Sequence, residues 1–291
     1  MSGFTVRLAT MVCVLVFLYN MQSSAHVPWH PATTSPVTKL PVNINDPFYK
    51  KFQKVPPISV TANKFLTNFL FINPTNTRGK RQAGTQLIDN VIVMDGSGSV
   101  GNCEFQRGKA AIKNMMKSAN AVAVKNKFDE KYAAVTFASS ASVNFKFLPY
   151  STAEQRLTMV QFPGGATNTQ AGLAEAMKLF VESLTGGRFA NRKNVLLITD
   201  GQSNVNKHLT VPNADKLKTL GVHIYVFAVG SYIPGIGEMV QVAGSKYSTK
   251  PDDYLFRIKG YHQLWEFTKL VVTKLASTGK YISLSPAPSP C

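Results

Sequence analysis

The sequence predicts a three-layer α/β sandwich: a mostly parallel central sheet with one antiparallel edge strand and helices on both faces. Three observations carry that expectation. Short apolar runs at 91–94, 132–137, 194–199 and 222–229 have the length of strands buried on both sides. Segments with apolar residues at helical spacing fall between those runs. The first and third runs also pass straight into small polar loops, as strands do where a sheet ends.

Residues 90–101 read NVIVMDGSGSVG, so a buried strand gives way to a loop with Asp95, Ser97 and Ser99 on alternate positions. One carboxylate and two hydroxyls spaced in this way can converge above the strand's carboxyl end. Hard oxygen donors of that kind suit Mg²⁺ or Ca²⁺, not zinc. Phe105, Ile112, Met115, Met116, Ala119 and Val122 then recur at helical spacing and predict a helix over 104–124, with the two methionines in the core. Residues 132–137 and 142–147 read as a buried strand and a half-exposed edge strand, joined at Ser139-Ser140-Ala141 into a hairpin. Ser151 to Glu154 resembles a capping box opening a short helix to about 160.

The segment 163–169, PGGATNT, is a second small polar loop, and Leu173, Met177, Phe180, Val181 and Leu184 mark one face of the helix after it. The strand 194–199 runs into Asp200-Gly201, the third polar loop. A helix over 212–220, a strand over 222–229, a short helix over 237–243 and a strand over 254–258 follow. A last helix from 261 to 275 carries Leu264, Phe267, Val271 and Leu275, with Trp265 also in the core. His223 lies within an apolar strand and reads as structural. The whole is a Rossmann-like arrangement, in which ligands bind outside the carboxyl ends of the strands. All three polar loops meet that condition.

The two ends have a different character. Residues 1–25 combine Arg7, the apolar run 11–19 and small residues 23–25, the pattern of a secretory signal peptide. No stretch is long enough to span a bilayer as a helix, so the expected product is secreted into the extracellular space or matrix. Residues 26–77 contain eight prolines without sustained periodicity and read as a weakly ordered leader. That leader finishes in Arg78-Gly79-Lys80-Arg81, a furin-like processing site, so the mature chain is expected to begin near Gln82. Residues 82–277 form the domain and 278–291 a Pro/Ser tail ending in Cys291.

The net charge of +17 divides into +1 over 1–25, +7 over 26–81 and +9 over 82–291. A basic surface favours acidic partners such as sulfated glycans, acidic proteins or mineral. Nucleic acid is disfavoured by compartment and by the lack of an interleaved aromatic and basic motif. Beyond the signal peptide the cysteines are Cys103 and Cys291. The tail's reach of about 45 Å permits a bond within the chain, while a disulfide-linked dimer remains equally open.

Taken together, Asp95, Ser97 and Ser99, Thr167 in GGATNT, and Asp200 in ITDG resemble the metal-ion-dependent adhesion site of von Willebrand factor type A domains, the modules of integrins and matrilins. The resemblance covers about 89–277. It implies that Ser97, Ser99 and Thr167 touch a divalent cation, Mg²⁺ ahead of Mn²⁺ or Ca²⁺, while Asp95 and Asp200 act mostly through bound waters. It further implies an open coordination position for a carboxylate from an extracellular protein ligand, collagen or another matrix protein, and coupling to movement of the last helix. The chain departs from many matrix members in lacking cysteines that flank the domain, which makes clamping of its two ends doubtful.

Two rival readings are distinguishable. Residues 96–101, GSGSVG, match the dinucleotide fingerprint, but Asp95 would face a pyrophosphate and the strand 132–137 ends without an acid for the ribose. A hydrolase lacks H-E-x-x-H and a G-x-S-x-G elbow. No enzymatic activity is therefore expected. A structural matrix component held by charge is the remaining alternative.

Overall fold

The computed structural model describes residues 40–41, 43–72, 86–248, 250–276, 282–284, 286 and 291. Within them β1 (Leu87–Asp95) is the hub of a six-stranded sheet of order β3-β2-β1-β4-β5-β6. It pairs in parallel with β2 (Asp129–Phe137) on one side and β4 (Arg192–Thr199) on the other. β5 (Val222–Val229) and β6 (Leu255–Ile258) continue the parallel run, and β3 (Ala141–Pro149) is the antiparallel edge strand. The mixed sheet expected from the sequence is the one observed.

The seven residues 89–95 of β1 are all buried, which is why this strand reads as a continuous apolar run instead of an alternating one. The helices form two layers. Together, α2 (Gly101–Asn126) and α8 (Tyr261–Ala276) pack, with α1 (Ile58–Asn68) against α8 and α3 (Tyr150–Thr158) against α2. The other layer holds α4 (Thr169–Thr185), α5 (Thr210–Thr219) and α6 (Ile236–Val242); α7 (Pro251–Tyr254) is a single turn before β6. Met115, Met116, Trp265 and Phe267 are buried in the core as the helical spacing predicts. His223 is held structurally, its Nδ1 3.3 Å from the Tyr254 hydroxyl.

Three expectations are corrected. The capping box is not formed: α3 starts after Pro149 with no side-chain cap. Glu154 instead accepts from the Tyr150 hydroxyl at 2.8 Å and pairs with Lys117 at 3.4 Å, since it faces α2 and not its own helix terminus. Val181 lies 44% exposed, at the edge of α4's buried face and not on it.

The third correction concerns the leader. Far from being weakly ordered, Pro47–Gln53 form a 3-10 turn capped by Asp46, and α1 buries Thr61, Ala62, Phe65 and Leu66. The 3-10 turn packs on α6 and α1 on α8, so the segment wraps around the β6 edge from one helix layer to the other. Residues 1–25, expected to be a signal peptide, and Arg78, Lys80 and Arg81, expected to be a processing site, lie outside the described residues. Cys103, in the first turn of α2, is bonded to Cys291 within the chain, a separation of 188 residues.

Candidate metal centre

Since β1 and β4 are neighbours whose chains then turn to opposite sides, the crevice at their carboxyl ends is the sheet's switch point. The loop after β1 is fixed first by its own carboxylate. Asp95 Oδ1 accepts from the Ser97 amide at 2.8 Å, and Gly96 N donates to Phe137 O at 2.8 Å. A Cβ at Gly96 would lie 2.6 Å from the Pro163 ring, so only glycine lets the two polar loops meet here. The turn brings Ser97 Oγ to 3.0 Å from Ser99 Oγ.

Two bonds join this loop to the end of β4. Thr199 Oγ1 donates to Asp95 Oδ2 at 2.6 Å, and Ser99 Oγ donates to Asp200 Oδ1 at 2.9 Å. The loop carrying Thr167 is latched to both. Gly98 N donates to Gly165 O at 2.7 Å, while Thr167 N donates to Asn204 Oδ1 at 2.9 Å. The Thr167 carbonyl accepts from Asn204 N at 2.9 Å and from Ser203 Oγ at 3.1 Å. Asn168 then caps α4 through Ala171 N and donates to the Ser139 carbonyl at 2.9 Å. All five residues singled out in the sequence therefore lie in one loop cluster, four of them linked by direct hydrogen bonds.

Asp95, Ser97 and Thr167 are buried to within a few per cent of their surface. Burial pushes the Asp95 carboxyl up to about 6 against the hydrogen bonds from Thr199 and Ser97, with nearby Asp200 adding to the rise. Burial likewise raises Asp200, opposed by the Ser99 bond. Neither carboxylate joins an ion pair among the described residues. Nor do three His, Cys, Asp or Glu side chains group there into a metal cluster. The centre is thus a set of hydroxyls with two uncompensated acids.

Sequence reasoning missed the supporting residues Thr199, Asn204, Ser139 and Tyr261. Thr199 was legible, because it points inward beside Asp200 in the same turn; the other three act through tertiary placement alone. Tyr261 opens α8 against Gly108, where an added Cβ would sit 3.2 Å from its ring. Its buried hydroxyl has no hydrogen-bond partner among the described residues.

Several known proteins resemble this chain over the same domain. The chain is 23% identical to human integrin alpha-D over 197 residues, 65% of this chain and 16% of the integrin. It is 29% identical to human von Willebrand factor A domain-containing protein 2 over 201 residues, 66% of this chain and 24% of that protein. The chain thus spans less than a quarter of the length of either relative. The zinc-occupied structure of proximal thread matrix protein 1 from the mussel byssus shares the fold, with a TM-score of 0.50 at 23% identity over 66% of this chain and 46% of the other. Residues 89–269, more than half of the sequence, match the von Willebrand factor type A domain, and the chain belongs to that family.

Proposed function

We propose that this protein is a secreted adhesion module that binds an extracellular protein ligand through a divalent cation held by Asp95, Ser97, Ser99, Thr167 and Asp200. The observation that carries the reading is the junction of three distant loops, with Ser99 bonded to Asp200 and Gly98 to Gly165. The donor chemistry fits a cation. Three hydroxyls supply neutral oxygens, and two carboxylates, buried Asp95 and half-buried Asp200, with no cationic partner among the described residues, supply compensating charge through waters. A divalent ion bound mainly by neutral donors stays electrophilic and can accept a partner's carboxylate. Mg²⁺ suits the set best, with Mn²⁺ and Ca²⁺ next. Zinc occupies the corresponding motif of the mussel thread protein, so the oxygen donors do not by themselves exclude it.

Processing at Arg78, Lys80 and Arg81 and removal of residues 1–25 belong to the same reading. No catalytic role is assigned. Dinucleotide binding at GSGSVG is opposed by local geometry, because the Gly96 and Gly98 amides are already spent on Phe137 O and Gly165 O. The test is capture of partners from an extracellular extract with and without EDTA, read by mass spectrometry. Ligands retained only with the divalent ion support the proposal, and equal capture in EDTA overturns it. The +9 charge over 82–291 favours a second reading, retention of sulfated glycans by charge. That binding would survive EDTA and be lost in high salt.

A further inference from the structure

We infer that residues 43–72 are a ligand of the domain that follows them. The surface built by β5, β6, α6 and α8 is a peptide-binding seat, and it holds this segment without help from the covalent connection between 72 and 86. The contacts have the make-up of an interface, with apolar anchors at the centre and hydrogen bonds around them. Phe65 is fully buried, its ring 5.4 Å from Phe267, 5.8 Å from Phe256 and 6.0 Å from Phe227. Phe69 stacks on Phe65 at 4.8 Å and meets the Tyr225 ring edge-on at 5.0 Å.

Around that centre the domain reads the segment's backbone. Arg257 is buried, and burial holds its guanidinium down to about 10. It makes no ion pair among the described residues; its donors go to four carbonyls, Ala228 and Gly230 of the domain and Phe52 and Gln53 of the segment. Without the segment, half of those acceptors vanish from a desolvated charge. Gln53 pairs twice with the Ile233 backbone, donating to its carbonyl at 2.6 Å and accepting from its amide at 3.0 Å. Lys64 Nζ donates to Leu255 O at 2.9 Å, Asn68 Nδ2 to Asp253 O at 3.1 Å, and the Tyr225 hydroxyl to Asn68 O at 2.8 Å. Gly237 completes the fit, since a Cβ there would fall 2.0 Å from the Ile44 carbonyl oxygen. A segment merely tethered to the domain would need none of this complementarity.

Chain scission between 72 and 86 therefore yields a two-chain protein and does not release the segment. The inference uses nothing of the metal centre, so each can fail alone. The test replaces residues 76–81 of the full-length chain with a sequence-specific protease site, cuts it, and applies the product to native gel filtration at micromolar concentration. Both pieces are expected to co-elute at one to one and to melt in a single transition. Separate elution of the small piece, with the large piece melting as before the cut, would overturn the inference. In the cut protein Phe65→Ala is expected to weaken retention by about 100-fold or more. Should that variant fail to fold, Gln53→Ala serves, with a loss of about 10-fold. Retention as tight as in the unaltered cut protein for either variant would count against the seat.

Discussion

Ser99 donates its hydroxyl hydrogen to Asp200 Oδ1 at 2.9 Å although 101 residues separate them. This bond joins the loop after β1 to the loop after β4, so the two residues belong to one loop cluster. Ser99→Ala and Asp200→Ala are each expected to remove the EDTA-sensitive part of ligand binding. The double variant should lose no more than either single one, because the pair acts as a unit. Circular dichroism should report an unchanged fold in all three, and additive losses would separate the two loops functionally.

The fold and most of this centre were legible because their signals are local. Asp95, Ser97 and Ser99 announce themselves by spacing, and the buried parallel strands by their continuous apolar runs. What stayed hidden depends on tertiary placement. Asn204 matters only because its loop is folded onto Thr167, and Ser139 only because the hairpin turn meets Ala166 and Asn168. The helix α1 with its C-cap had a readable pattern in Ile58, Ala62, Phe65, Leu66 and Phe69. Small Ala62, polar Thr61 and the surrounding prolines and asparagines diluted it below notice.

The Thr167 loop depends on a glycine conformation. Gly165 has φ +112°, and a Cβ there would lie 2.5 Å from Ser139 Oγ. Gly165→Ala is expected to cost about 1–3 kcal/mol and to weaken divalent binding by displacing Thr167. Gly201→Ala has nothing within 4 Å and should change little. Thermal shift with and without Mg²⁺ distinguishes the two variants.

Glu238 on α6 accepts from Ser203 N at 2.9 Å, and burial pushes its carboxyl from 4.5 up to about 7. The unfolded chain releases this proton near 4.5 while the native state keeps it, so the wild type loses stability as pH rises between these values. Below that window the group is protonated in both states and contributes nothing. Glu238→Gln should therefore be more stable than wild type at pH 8, by up to roughly 3 kcal/mol, with the difference gone near pH 4. Urea titrations at the two pH values check it. A Glu238→Gln protein weaker than wild type at pH 8 would reverse the sign.

The Cys103–Cys291 bond closes a loop spanning 188 residues of sequence separation. Reduction is expected to lower stability by about 2–4 kcal/mol, mainly by releasing the unfolded chain. Non-reducing mass spectrometry should show no free thiol at Cys103 or Cys291 and no dimer linked through them; alkylation of both in the untreated protein would contradict the pairing.

The wrap of residues 47–68 around β6 has a practical consequence. Among the described residues β6 pairs only with β5 and is the last strand of the sheet. A protein produced from Gln82 onward would present that strand bare, next to the uncovered rings of Phe227 and Phe256. Open, aromatic-rich sheet borders recruit strands from neighbouring molecules, so such a shortened product should precipitate where the longer one stays in solution. Colloidal behaviour in this chain is thus expected to depend on a stretch of sequence that composition alone would have marked for deletion.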